Sequence, residues 1–262
     1  MQLFAKKSLG QHFLHSPTVL AKIIAAAHIS SEETVLEIGP GTGILTEALL
    51  GTGAKVVAIE KDQRALDGLR EKFADKIAAG KLVLQYADIL ETDRASFGLE
   101  NGKYALVANI PYYITGAILE SFLEYEPRPN RMVLLVQKEV AQRIVANDKK
   151  ESILSISVKA FGEPKIIDNV PRGAFVPPPN VDSAILSIEG ISDAKFAEKG
   201  LEIRRFFDTV KAGFAHKRKY AKSNISSAMD KTTLDTVWQK NSLDEKVRAE
   251  DMSLDQWIGL AS

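Results

Sequence analysis

Three acidic residues and three glycines stand at the ends of successive apolar runs in this 262-residue chain, where their types and spacing suit the binding of a nucleotide. The stretch E-I-G-P-G-T-G places Gly39, Gly41 and Gly43 at alternate positions behind Glu37. Glycines in a strand-to-helix turn let the backbone approach a ligand closely and leave amide N–H groups free at a helix N-terminus. A carboxylate beside a pyrophosphate would repel it, whereas Glu37 suits a ligand carrying positive charge, such as the amino acid part of S-adenosylmethionine. The G-x-G-x-G spacing, in place of G-x-G-x-x-G, likewise favours a sulfonium cofactor over NAD. Glu60 closes the next apolar run about 20 residues after the first glycine, where a carboxylate can accept hydrogen bonds from both ribose hydroxyls. Asp88, in Q-Y-A-D-I-L, can accept from the exocyclic amine of an adenine, with Ile89 packed on the ring. Each feature alone also reads as ordinary structure: a tight turn, a solvated strand-end acid, a cap.

A further stretch, N-I-P-Y-Y-I-T-G at 109 to 116, follows the run Y-A-L-V-A. A chain leaving a buried strand usually turns with Gly, Asp or Ser, so an amide, a proline and two tyrosines are unusual there. In isolation the stretch reads as a turn with two rings lying on the core. At the end of the fourth strand of a nucleotide-binding sheet, Asn109, Ile110, Pro111 and Tyr112 become candidates for chemistry, while Tyr113 is assigned to packing.

These residues need a scaffold that brings strand ends together. Short apolar runs at 34–38, 54–60, 81–86, 104–108 and 131–137 alternate with helical patterns near 43–51, 62–73, 115–124 and 138–147. Near-continuous apolar strands separated by amphipathic helices predict a parallel sheet covered on both faces. Ser16 and Pro17 predict an N-cap and first-turn proline opening a helix through about His28. After residue 151 the pattern changes: 152–161 and 181–188 alternate polar and apolar residues, as antiparallel or edge strands do, around the stiff F-V-P-P-P-N at 175–180. From about 190 onward the chain reads as helical and charged, which places a domain boundary there: 1–190 and 191–262.

Composition narrows the classes. The 34 basic and 34 acidic side chains cancel, so any nucleic-acid surface must be local. The absence of cysteine excludes disulfides, thiolate metal sites and Cys nucleophiles, a cytosine C5 methyltransferase among them. No metal site is expected. The N-terminus carries Lys6 and Lys7 but lacks the apolar stretch of a secretory signal, and no window approaches the roughly 18 apolar residues of a membrane span, so a cytoplasmic protein is expected.

Taken together, the motifs K-K-S-L-G-Q-H-F-L (6–14), L-E-I-G-P-G-T-G (36–43), I-E (59–60), A-D (87–88), N-I-P-Y-Y (109–113), Q-K-E-V-A-Q-R (137–143) and F-V-P-P-P-N-V-D-S-A (175–184) resemble one family, in its order, over about 6–190. It is the ribosomal RNA adenine N6,N6-dimethyltransferases, which modify two adjacent adenosines near the 3′ end of small-subunit RNA. The resemblance implies an α/β fold with a Rossmann-like class I methyltransferase sheet, mostly parallel with an antiparallel edge hairpin, and a small C-terminal all-α domain. It implies S-adenosylmethionine as cofactor, 16S rRNA within the 30S subunit as partner, a monomer, and a part in small-subunit biogenesis. Cofactor contacts are implied for His12, Leu14, Gly39, Glu60, Asp88 and Asn109. Two departures stand out: His12 occupies the place of the family's usual Asn, and the tail A-G-F-A-H-K-R-K-Y-A-K-S-N-I differs from the family's F-x-x-R-R-K-x-x-x-N-S.

Adenine N6 is a poor nucleophile because its lone pair is delocalised into the ring. For an enzyme of this kind, Asn109 Oδ1 and the Ile110 carbonyl, oriented by Pro111, would accept the two N6–H groups and aim the lone pair at the methyl group. The base must leave its stack, and Tyr112 is the natural platform to receive it, with Phe175 by resemblance covering the other side. RNA contacts are expected from Lys6, Lys7 and a tail cluster of Lys211, His216, Lys217, Arg218, Lys219 and Lys222, interleaved with Phe214 and Tyr220; Arg204 and Arg205 are weaker candidates. A large-subunit methyltransferase of the resistance type and a non-catalytic assembly factor on the same scaffold are the alternative readings.

Overall fold

A computed structural model describes residues 10–146 and 148–262. The chain divides into two compact units: one holds the residues up to Ala141 together with Glu163–Ile191, the other Gln142–Gly162 with Ser192–Ser262.

In the first unit a short strand β1 (Phe13–Leu14) leads into α1 (Pro17–Ala27). Ser16 caps that helix, its hydroxyl accepting from the Val19 amide, and Pro17 occupies the first turn, where a missing N–H costs nothing. There follow β2 (Thr34–Ile38), α2 (Ile44–Gly51), β3 (Lys55–Glu60), α3 (Gln63–Lys72), α4 (Ala74–Ala78), β4 (Leu82–Tyr86), β5 (Tyr104–Asn109), α5 (Thr115–Glu124), β6 (Arg131–Gln137) and α6 (Lys138–Val145). Beyond α7 (Ile153–Phe161) come β7 (Glu163–Val170), β8 (Phe175–Val176) and β9 (Ser183–Glu189).

Seven strands form one sheet in the order β4-β3-β2-β5-β6-β9-β7. The first five are mutually parallel, while β9 runs antiparallel to both β6 and β7. Parallel neighbours require crossover connections, and the intervening helices supply them. Strands β2, β3, β5 and β6 are buried almost throughout, which is why they read as unbroken apolar runs. On one face Val35, Val56, Val107 and Val133 pack with Ile23 and Ala27 of α1 and Leu45 and Leu49 of α2. A second, two-stranded sheet pairs Phe13 with Val176 and Leu14 with Phe175.

One expected strand is a helix. Residues 152–161 form α7, opened by a reciprocal cap in which the Ser152 hydroxyl accepts from the Ser155 amide and Ser155 Oγ accepts from the Ser152 amide. The serines that looked like the polar half of a strand alternation are instead spent on that cap, and Val158 and Phe161 are buried on the helix's apolar side. The antiparallel edge is β7, whose alternating exposure and bulge at Ile166 to Asp168 mark an outer strand. The single boundary expected near 190 therefore gives way to two crossings, at 142 and 162, besides the one after Ile191.

The second unit adds α8 (Ala194–Ala197), α9 (Ile203–Gly213), α10 (Ala221–Ile225), α11 (Lys231–Lys240) and α12 (Leu254–Ala261) to α7. Its core is aromatic: Phe161, Phe196, Phe206 and Phe207 meet at centroid separations of 5.1–6.2 Å. A Cβ at Gly213 would stand 2.3 Å from the Trp257 ring, so glycine is what admits that tryptophan. Among the described residues no helix is long and apolar enough to cross a membrane, and no group of three or more metal-ligating side chains occurs.

Candidate active site

The sheet order reverses between β2 and β5, and open α/β sheets bind ligands at the carboxyl ends of the strands beside such a switch point. A cleft lies there, walled by the ends of β2, β3 and β5, the loop after β4 and residues 10–13 of the N-terminal arm.

Gly39 and Gly41 stand on the cleft wall with φ of +66° and +55°. Nothing lies within 4 Å of a Cβ placed at Gly39, whereas one at Gly41 would meet the Phe13 ring at 2.9 Å. Gly43 is different in kind: it lies off the wall, and its Cβ would strike Leu69 at 2.6 Å and Phe73 at 2.7 Å. Its glycine is required by the packing of α3 against the turn, not by a ligand.

Glu60 reaches the cleft but is already heavily engaged. Oε1 accepts from the Lys61 and Asp62 amides, both at 2.8 Å, and Oε2 from the Gly41 amide at 3.2 Å. A carboxylate offers about four acceptor sites, so one remains, on Oε2, for one ribose hydroxyl rather than two. Burial pushes its pKa up, against the pull of the three amides. Asp88 accepts from the Leu90 amide at 3.1 Å and pairs through its other oxygen with Lys61, which, ahead of all else, holds the Asp88 pKa below the usual range. Ile89, with Ile38 and Ile59, supplies the apolar wall that a purine and ribose need.

Glu37 does not stand on that wall. It is 1% exposed, its Oε2 has no hydrogen-bond partner among the described residues, and burial, with the Glu60 carboxylate adding to it and Thr46 opposing, raises its pKa to about 8. A neutral buried carboxyl, and not the expected carboxylate, therefore sits behind the turn at neutral pH. Leu14 and Phe175, too, are core residues, 5% and 2% exposed, neither of them on the cleft wall. Their strand pairing turns both side chains onto the α1 side of the sheet, so the ring expected opposite Tyr112 is elsewhere.

At the end of β5 the backbone turns through Pro111 (φ −57°) into a 3-10 turn, Tyr112–Ile114, ahead of α5. Asn109 Nδ2 donates to the His12 carbonyl at 2.9 Å, and Oδ1 accepts no hydrogen bond among the described residues. Tyr112 Oη meets Ser183 Oγ at 2.6 Å, fixing the ring, and burial raises the phenol's pKa. The His12 ring stacks on Tyr112 with centroids 6.0 Å apart and planes at 21°, and its Nδ1 donates to the Pro177 carbonyl at 2.8 Å. Asn109, Ile110, Pro111, Tyr112 and His12 thus share one wall of the cleft. So does Tyr113, which is 68% exposed and not the packing residue expected. The sequence reading also missed Lys61, which no motif marks, and Ser183 and Pro177, whose signal was their place in F-V-P-P-P-N-V-D-S-A.

Gln11 Nε2 donates to Asp62 at 3.3 Å, and Asp62 also takes Arg64 through both oxygens, which lowers its pKa to about 2. The arm is so held to the cap of α3, to β5 and to the proline segment at once.

In the second unit, Lys217, Arg218 and Lys219 are exposed on the turn between α9 and α10, with no ion pair among the described residues. Lys222 is paired with Asp235 and Glu245, Lys211 lies over the Phe207 ring, Arg204 approaches Asp208 and Arg205 donates to the Ser262 carbonyl, so these four are less free. Phe214 stacks on Trp257, while Tyr220 is partly exposed. The expected Lys6 and Lys7 contacts lie outside the described residues.

A family model described as ribosomal RNA adenine dimethylase matches residues 3–262. The ribosomal RNA small subunit methyltransferase A of Dehalococcoides mccartyi is 40% identical over 257 residues, covering 97% of this chain and 87% of that one. The protein of the same name in Fusobacterium nucleatum is 36% identical over 263 residues, 99% of this chain and 97% of its own. Among solved structures, a dimethyladenosine transferase from Plasmodium falciparum superposes with a TM-score of 0.80 at 28% identity, over 95% of this chain and 96% of that one. The 23S rRNA methyltransferase ErmE gives 0.73 at 24% identity over 95% and 98%, a likeness of fold.

Proposed function

Because the chain belongs to the ribosomal RNA adenine dimethylase family, we propose that it dimethylates N6 of two adjacent adenosines in a hairpin loop near the 3′ end of 16S rRNA. It does so as a cytoplasmic monomer, on the 30S particle, as a step of small-subunit biogenesis. S-adenosylmethionine is the methyl donor; bound, it supplies an electrophilic methyl group on a sulfonium. The residues present fit it: the open face of Gly39, the spare acceptor on Glu60, Asp88, and the isoleucine wall.

The observation that carries the acceptor reading is the orientation of Asn109. One N–H of its amide nitrogen is committed to the His12 carbonyl, which fixes which way the amide faces and leaves Oδ1 an open acceptor, and an acceptor is what an adenine amine requires. Oδ1 and the Ile110 carbonyl hold the two N6–H groups, drawing the lone pair out of conjugation with the ring, while Tyr112 stacks on the extruded base. No side chain has to act as nucleophile. Lys217, Arg218 and Lys219 offer phosphate contacts in the second unit.

Incubating the protein with labelled cofactor and undermethylated small subunits, then digesting to nucleosides, should yield N6,N6-dimethyladenosine. Label in cytosine, or in no nucleoside, overturns the proposal. The large-subunit alternative is separated by offering naked large-subunit RNA as acceptor; the small-subunit names of the relatives at 36–40% identity support the first.

A further inference from the structure

We propose that the imidazole of His12, expected from the family resemblance to contact the cofactor, belongs instead to the acceptor half of the cleft, where with Tyr112 it forms a two-ring platform that receives the extruded adenine. The proposal rests on the adenine-methylation reading above and deepens it.

Three observations carry it. First, neighbouring residues of the arm face opposite ways: the Phe13 ring lies against the glycine turn, 2.9 Å from where a Gly41 Cβ would stand, whereas the His12 ring lies against Tyr112. Phe13 thus covers the cofactor's turn and His12 faces the base's tyrosine. Second, the pair is an offset stack, centroids 6.0 Å apart at 21°, which leaves part of each face uncovered for a third ring. Third, the ring is held rather than loose, Nδ1 donating to the Pro177 carbonyl while the same residue's carbonyl orients Asn109. One residue therefore sets the acceptor atom and lends a stacking surface. Phe175, the other aromatic expected to serve, is buried in the core.

The experiment compares His12→Phe, His12→Asn and His12→Ala with the wild-type chain on undermethylated small subunits, measuring kcat and KM for the acceptor and, by calorimetry, the Kd for S-adenosylmethionine. Loss of one stacking surface raises the acceptor KM about 5- to 100-fold in His12→Asn and His12→Ala. His12→Phe, which keeps a ring but loses the hydrogen bond, restores it to within about threefold, and cofactor Kd stays unchanged in all three. The result that overturns the proposal is the reverse order, with His12→Asn as good as wild type and His12→Phe impaired, since that makes His12 a strut for the proline segment. An equal loss of cofactor affinity in all variants overturns it as well. A wild-type chain that leaves adenine unmodified refutes the underlying reading instead, and is seen before any variant is compared.

Discussion

Asn109 donates its side-chain amide to the main-chain carbonyl of His12, 97 residues away in sequence, at 2.9 Å. A flexible amide with two possible orientations is thereby fixed in one, and the arm residue that fixes it is itself anchored at Asp62 through Gln11 and at Pro177. Replacing Asn109 by Ala removes the acceptor and leaves the isoleucine wall and Glu60 intact. Transfer should fall about 10²- to 10³-fold, the scale of losing one preorganised polar group at a reacting centre, with a cofactor Kd changed less than tenfold. Single-turnover rates beside calorimetry separate the two effects; a matched loss in both would assign the amide to the cofactor.

The two glycines of the turn should respond differently to a methyl group. Gly43→Ala drives a Cβ into Leu69 and Phe73 at a positive φ of 77°, so urea melts should show a loss of about 1–3 kcal/mol. Gly39→Ala meets no neighbour within 4 Å, and its φ of +66° adds roughly 1–2 kcal/mol of strain. Its larger effect should be on the cofactor, whose approach to the backbone the methyl obstructs.

The Glu37 carboxyl holds its proton in the folded protein to about pH 8, but loses it near 4.5 once unfolded. Between those values the folded state binds more protons, so stability falls as pH rises, by at most about 1.4 kcal/mol per unit. Glu37→Gln, neutral throughout, should match wild type near pH 4.5 and exceed it increasingly towards pH 8. Denaturant midpoints of both proteins at pH 5, 6.5 and 8 test this; a constant gap refutes it.

Lys61 competes for the carboxylate that a cofactor's adenine amine would use. The pair is largely exposed on the lysine side, 61%, so water screens it and it holds only weakly. Lys61→Met should accordingly tighten cofactor binding, by up to about fivefold, and calorimetry at low salt should show it most clearly. Weaker binding would mean that Lys61 contacts the ligand itself.

The parallel sheet was legible because buried strands and amphipathic helices leave different periods: 34–38, 115–124 and 131–137 fall within the very bounds that sequence alone suggests. Residues 152–161 misled because serines serve equally as the polar face of a strand and as helix caps, and only the Ser152–Ser155 pairing distinguishes them. β7 was missed because an edge strand with E-P at its start and half its side chains in solvent has no unbroken apolar run. At the site, sequence gave which residues gather but not which way they face. Glu37 and Leu14 are adjacent in sequence to cleft residues, Gly43 stands two places beyond one, and Phe175 pairs with the arm, yet strand alternation or helix packing turns each inward. Lys61, which no motif marks, and Tyr113, expected only to pack, lie on the cleft because they follow strand ends that stop there.

The helix Ile153–Phe161 groups with a unit whose remaining helices lie beyond residue 192. During synthesis Phe161 therefore leaves the ribosome well before Phe207, the ring it stacks on. At about 5–20 residues per second the 46 residues added after Phe161, up to and including Phe207, take roughly 2–9 seconds, during which an apolar helix stripe waits without its partners. The antiparallel strands that finish the large sheet emerge inside that interval, so the nucleotide fold can close first. A nascent chain that has emerged to a point between 190 and 207 would carry a complete cleft and an uncovered aromatic face, and that is the stage at which chaperone capture of this protein should peak.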